Sequence, residues 1–157
     1  MKLKIDHIGY VVENIKETKE YFKKIYKFKS LTNFIYEKAH GVNITFIDLG
    51  NNSTPALELI EPTSKKSKVY NFLHQKGGGM HHLAYEVEDV EKTMTDWKEK
   101  GYVEFLSEEP LTCQEPKLTQ VFSKPSELTG VIYELIKRED NKGFCEKNVE
   151  QLMESTR

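Results

Sequence analysis

At 157 residues, with 38% hydrophobic and 31% charged side chains and a net charge of −2, the chain has the balance of one soluble globular domain. That charge argues against a protein built to hold nucleic acid, which needs a concentrated basic surface. No apolar run reaches the roughly 20 residues that cross a bilayer or marks a secretory signal, and two cysteines, Cys113 and Cys145, do not make a disulfide scaffold; a cytoplasmic protein with reduced thiols and no membrane or nucleic-acid partner is the expectation.

In chain order, the apolar residues of 2–12 alternate and then merge, as in a strand covered on both faces. Asn14 is placed to cap a helix with Glu17 three residues on, and Ile15, Tyr21, Phe22 and Ile25 form its apolar stripe. Strands are predicted over Phe28–Glu37, Val42–Leu49 and, after the turn Asn51-Asn52-Ser53, Ala56–Glu61, so residues 1–62 read as one βαβββ module. Residues 63–79 read as a linking helix, begun by Lys65, Lys66 and Lys68, with Val69, Phe72 and Leu73 on one face and Gly77-Gly78-Gly79 as its stop. The pattern then recurs over 80–137: a strand Met80–Val87, a helix capped by Asp89 with Val90, Met94 and Trp97 on its stripe, Gly101 at its end, and strands near 102–107, 118–123 and 131–137. Residues 138–157 are strongly polar; Phe144, Val149, Leu152 and Met153 fit either one weakly amphipathic helix or a disordered tail.

The two modules also repeat in letters. D-H-I-G-Y-V-V-E-N-I-K-E-T at 6–18 lies over H-H-L-A-Y-E-V-E-D-V-E-K-T at 81–93, an offset of 75 that puts His7 on His82; A-L-E-L-I at 56–60 lies over I-Y-E-L-I at 132–136, which puts Glu58 on Glu134. Side chains alternate across a strand. With the large apolar residues Ile8, Tyr10, Leu83 and Tyr85 turned toward helices, His7 and His82 face a concave inner surface, with Gly9 and Ala84 leaving room beside them. By the same alternation His81 points away and is left out of the site. Carboxylates in the middle of apolar strands are tolerated only when paired, hydrogen-bonded or bound to a metal. Two imidazoles and two carboxylates at matched places in a repeat therefore point to a shared divalent ion such as Co, Ni, Zn, Mn or Fe. Asn43 and Thr45 share a possible inner face, as substrate contacts or as an ordinary polar sheet face. His40 and His74 read as surface residues, and Lys65, Lys66 and Lys68 either hold a phosphate or are a solvated basic helix end.

D-H-I-G-Y-V-V-E-N-I, F-I-D-L-G-N, L-E-L-I-E-P, G-G-G-M-H-H-L-A-Y-E-V-E-D-V and G-V-I-Y-E-L, spread over residues 3–137, resemble the vicinal oxygen chelate superfamily, the glyoxalase and methylmalonyl-CoA epimerase group. The resemblance implies an α+β fold, two βαβββ modules forming an incomplete barrel around a divalent metal held by His7, Glu58, His82 and Glu134. It implies proton abstraction next to a carbonyl by a carboxylate, Glu134 first and Glu58 as its symmetric counterpart, and a homodimer. An epimerase acting on an acyl thioester is the leading expectation; a glyoxalase-I-like lyase acting on a thiol hemithioacetal, and a metal-free protein that sequesters a small molecule such as an antibiotic, are the alternatives. The chain departs from the epimerase pattern at 112–125, where T-C-Q-E-P-K-L-T-Q-V-F-S-K-P replaces a glycine-rich segment and Lys124 stands where the family carries a histidine.

Overall fold

The computed structural model describes residues 3–26, 41–48, 56–140 and 145–156. In order come β1 (Lys4–Val11), α1 (Ile15–Tyr26), β2 (Val42–Asp48), β3 (Ala56–Pro62), α2 (Lys68–Lys76), β4 (Gly79–Glu86), α3 (Val90–Glu99), β5 (Leu111–Gln114), β6 (Lys117–Phe122), β7 (Ile132–Arg138) and α4 (Glu146–Ser155). The strands form one mixed sheet, ordered β2-β3-β1-β4-β7-β6-β5 and curved into a half-barrel, the α+β architecture expected. β1 runs parallel to β3 and β4 parallel to β7, while β1 and β4 pair antiparallel at the centre. The two modules are therefore related by a pseudo-twofold axis between β1 and β4.

Local signals set most boundaries. Asn14 Oδ1 accepts from the Glu17 N–H at 2.9 Å and Asp89 Oδ1 from the Lys92 N–H at 2.9 Å, each filling an orphan donor of a first helical turn. Ser67 caps α2 by accepting from the Tyr70 N–H, so Lys65 and Lys66, expected inside the linking helix, lie in the turn before it. The strand expected near 102–107 is reduced to a single bridge, Phe105 to Ser123; bends and Pro110 intervene, and the ladder resumes only at Leu111. The strand expected at Phe28–Glu37 lies outside the described residues, as do His40 and Phe144.

Helices cover both faces of the sheet. On the outer face α1 packs Ile15 against Ile47, Leu57 and Leu59, and α3 packs Val90 and Met94 against Val121 and Leu135. Of the expected α1 stripe, Tyr21 and Ile25 stay exposed. On the inner face Val42, Ile44, Ile60, Phe122 and Ile132 meet Val69 and Phe72 of α2 and Val149, Leu152 and Met153 of α4. Residues 146–155 thus take the helical alternative. Their polarity misleads because one face, at about 1.5–3 kcal/mol per fully buried large apolar side chain, docks onto the sheet. The expectation of reduced thiols is corrected at the same place: docking brings Cys145, 32 residues along the chain, to a Cα distance of 6.1 Å from Cys113, and the two form a disulfide. Among the described residues no helix is long and apolar enough to cross a membrane.

Candidate metal centre

Four strands deliver four side chains to one region of the concave face. Register does the positioning. Gly9 lies between His82 on β4 and Glu58 on β3, and Ala84 lies between His7 on β1 and Glu134 on β7. Each small residue leaves space for the ligands that flank it. At Gly9 the space is tightest, because a Cβ there would sit 2.0 Å from Cε1 of His82 and the ring would have to move.

All four side chains are buried, with His82 at 0% exposure and His7 at 4%. His82 Nε2 lies 2.7 Å from Glu58 Oε2, His7 Nε2 lies 3.2 Å from the same oxygen, and the two Nε2 atoms are 3.1 Å apart. Ligand atoms of His7, Glu58 and His82 lie within 4.8 Å of one another. Glu134 joins at the edge, its Oε2 3.4 Å from His7 Nε2, while its Oε1 accepts a hydrogen bond from Gln120 Nε2 at 3.1 Å. Bonds of about 2.0–2.2 Å to imidazole nitrogen and carboxylate oxygen place neighbouring donors roughly 3–3.5 Å apart. The donor types and most of the spacings suit a divalent ion.

Electrostatics give the same picture. Burial alone would lower the pKa of His7, but the carboxylates of Glu134, Asp6 and Glu58 outweigh it and raise the imidazole well above its usual value. Burial alone would raise Glu58; the charges on His82 and His7, with their hydrogen bonds, hold it well below the carboxylate range instead. A proton on His7 thus balances buried carboxylates, and a cation entering the centre competes with it.

Two supports lie behind the histidines, and alternation hides both. The β1–β4 ladder skips one residue on each strand: Asp6, between the pairs Ile5–Tyr85 and His7–Ala84, and His81, between the pairs Gly9–His82 and Tyr10–Met80. A bulged residue leaves the period of two and can re-aim its side chain. Asp6 Oδ1 sits 2.6 Å from His7 Nδ1 and His81 Nδ1 sits 3.0 Å from His82 Nδ1. His81, excluded on parity, therefore belongs to the surroundings of the centre. The repeat itself carried the signal, since it aligns Asp6 with His81. Asp6 is in turn gripped by Arg138, whose Nε and Nη2 donate at 3.0 and 2.9 Å. Against the push of burial, its bonds to His7 and Arg138 hold the Asp6 pKa well below the usual range. Burial and then the charge of His82 drive His81 down to about 3, so it is neutral near pH 7.

The two residues expected to contact substrate fall elsewhere. Phe46 pairs with Glu58 and its ring lies 5.7 Å from that of His7, so Val42, Ile44 and Phe46 take the concave face of β2. Asn43 and Thr45 alternate with them and point to the outer face, where Thr45 pairs with Leu59 of the α1-facing core. This is a correction of parity: the apolar set of β2 turns inward, into the concave-face core.

Comparison with known proteins gives a consistent result. The family model described as Glyoxalase/Bleomycin resistance protein/Dioxygenase superfamily matches residues 6–112. The mitochondrial methylmalonyl-CoA epimerase of Bos taurus is 30% identical over 133 residues, 84% of this chain and 73% of that protein. The Streptomyces coelicolor methylmalonyl-CoA epimerase, solved as a variant in complex with 2-nitronate-propionyl-CoA, superposes with a TM-score of 0.69 at 30% identity, covering 88% of this chain and 100% of that one. A methylmalonyl-CoA epimerase in complex with methylmalonyl-CoA and NH4+ gives 0.71 at 28% identity, covering 92% and 100%.

Proposed function

The chain belongs to the Glyoxalase/Bleomycin resistance protein/Dioxygenase superfamily, and on that footing we propose that it is a divalent-metal-dependent epimerase of the methylmalonyl-CoA type, exchanging the proton alpha to the carbonyl of an acyl-CoA thioester. The observation that carries this reading is the buried convergence of His7, Glu58 and His82, with Glu134 at its edge, on the concave face. Methylmalonyl-CoA epimerases solved with acyl-CoA compounds share the fold at about 30% identity.

His7, His82, Glu58 and Glu134 would hold Co, Ni, Zn, Mn or Fe. When bound, the ion supplies Lewis acidity toward the thioester carbonyl and balances the charge that develops on its oxygen. The remaining chemistry falls to the chain. Glu134 is the least tightly tied of the four at the centre, with Oε2 3.4 Å from His7 and Oε1 held from behind by Gln120. It is the carboxylate that takes the alpha proton, and burial of the site excludes water from it. Epimerisation exchanges protons on both faces of one carbon. Glu58, entering from the other module, is the counterpart to Glu134.

The test has two readouts. Purified protein is analysed for bound metal, then offered methylmalonyl-CoA in deuterated water and, separately, methylglyoxal with glutathione. Metal-dependent deuterium uptake at the alpha carbon supports the reading. Turnover of the hemithioacetal alone replaces it with the lyase, and a metal-free protein that binds without exchange replaces it with a sequestering role.

A further inference from the structure

The C-terminal segment 145–156 reaches both metal-site side chains of the second module through hydrogen bonds. Asn148 Nδ2 donates to Gln120 Oε1 at 3.1 Å, and Gln120 Nε2 donates to Glu134 Oε1 at 3.1 Å. At the other end of α4, Thr156 Oγ1 lies 2.7 Å from His81 Nε2, and His81 Nδ1 lies 3.0 Å from His82 Nδ1. Gln120, Asn148, His81 and Thr156 are each at most 4% exposed, so water does not substitute for these partners.

The amide chain has one direction, and the imidazole chain closes in the direction that a metal on His82 requires. Asn148 engages the carbonyl side of the Gln120 amide, which turns the NH2 of Gln120 toward Glu134. The Thr156 hydroxyl lies 3.3 Å from the Leu152 carbonyl, which can only accept. A Thr156 hydroxyl that donates there leaves its oxygen to accept from His81 Nε2–H at 2.7 Å, the direction the metal site requires. A His82 that gives Nε2 to a metal keeps its proton on Nδ1 and donates it to His81 Nδ1, 3.0 Å away, which accepts because the His81 proton sits on Nε2. His82 is left with a lone pair on Nε2, aimed at the centre. That is the tautomer a metal needs, set by the hydrogen bond on the other ring nitrogen.

We propose that Asn148 and Thr156 are positioning residues for the metal centre, fixing Glu134 through Gln120 and the tautomer of His82 through His81. The proposal rests on the metal-site reading given above. α4 is packed onto the concave face by Val149, Leu152 and Met153 and tied to β5 by the Cys113–Cys145 disulfide, so the segment is held where these bonds require it.

The test compares wild-type protein, Thr156→Val, Thr156→Ser and Asn148→Leu by zinc affinity in chelator competition. Imidazole ¹H–¹⁵N spectra of the zinc-loaded proteins report the His82 Nδ1 proton. Outer hydrogen-bond partners of metal ligands contribute about 10–100-fold in affinity. Thr156→Val and Asn148→Leu are expected to lose affinity in that range. Thr156→Val also exposes the His82 Nδ1 proton to exchange, and Thr156→Ser, which keeps the hydroxyl, stays near wild type. Should Asn148→Leu fail to fold, the near-isosteric Thr156→Val carries the test alone. Affinities within twofold of wild type overturn the proposal, as does equal loss in Thr156→Ser, which would make packing the cause. A wild-type protein that binds no zinc, cobalt, nickel, manganese or iron overturns the metal-site reading itself, a different failure.

Discussion

The two modules present the same ligands and support them by different physics. In the first, His7 is backed by a buried ion pair, Asp6 with Arg138. In the second, His82 is backed by a neutral imidazole and a hydroxyl, His81 with Thr156, and Glu134 by two amides. The bulge that brings each backing residue into place recurs at equivalent positions in the repeat. Duplication thus preserved the backbone device while its chemistry diverged. A charged support holds its histidine as imidazolium until a cation arrives, whereas a neutral support fixes the tautomer of its histidine once the cation is bound. Under the metal-site proposal, the two halves divide the work of a site that is empty and loaded in turn.

The largest effect that tests this asymmetry is on catalysis. Glu134→Gln is expected to lower alpha-proton exchange by about 10²–10⁴-fold, the usual contribution of a general base, in protein saturated with metal; Glu58→Gln, at the heart of the cluster, loses the larger share of metal affinity. Metal content beside exchange rate separates the two, and identical behaviour would make the halves equivalent. Next comes the ion pair. Arg138→Met leaves the buried Asp6 carboxylate with His7 as its remaining charged partner and is expected to cost up to about 3–5 kcal/mol in urea unfolding, against about 1–3 kcal/mol for Thr156→Val, which strands one neutral donor. Equal losses would show that the charged and neutral supports contribute alike. Gly9→Ala forces a methyl into the His82 ring and should cost about 1–3 kcal/mol by overpacking, with weaker metal binding, read by thermal melts with and without zinc.

The smallest effect is the pH dependence of the metal-free protein, and the two halves push it in opposite directions. His7, raised above 6.5, contributes stability that is complete below pH 6.5 and is lost as pH rises through its folded value. His81, held to about 3, contributes stability that is complete above pH 6.5 and is lost as pH falls toward 3. Asp6 and Glu58, both lowered, add further loss at the acid end, below about 4. Unfolding midpoints across pH should peak near 6.5; a curve that rises steadily through pH 8 would remove the imidazolium from His7.

Some of this was legible before any coordinates. Residues that recur in letters must recur in backbone, so the repeat aligned His7 with His82 and Glu58 with Glu134, and the burial cost of a carboxylate flanked by leucines pointed those side chains at one another. Caps and periodicity marked α1, α3 and the strands at 118–123 and 131–137, because Asn14 and Asp89 act within a few residues of themselves. Beyond that range the letters were silent or misleading. Alternation says only that two faces differ; burial of Val42, Ile44 and Phe46 in the concave-face core chooses which is inward, and Asn43 and Thr45 face outward. Asp6 and His81 were invisible because a bulge is a property of the pairing between β1 and β4. The polar run after Arg138 left a weakly amphipathic helix and a disordered tail both open, and neither it nor the separation of Cys113 from Cys145 told where a helix would dock. Local free energies are written along the chain; which surface covers which, and whose hydrogen bond reaches whose ligand, are settled only when distant segments compete for the same buried space.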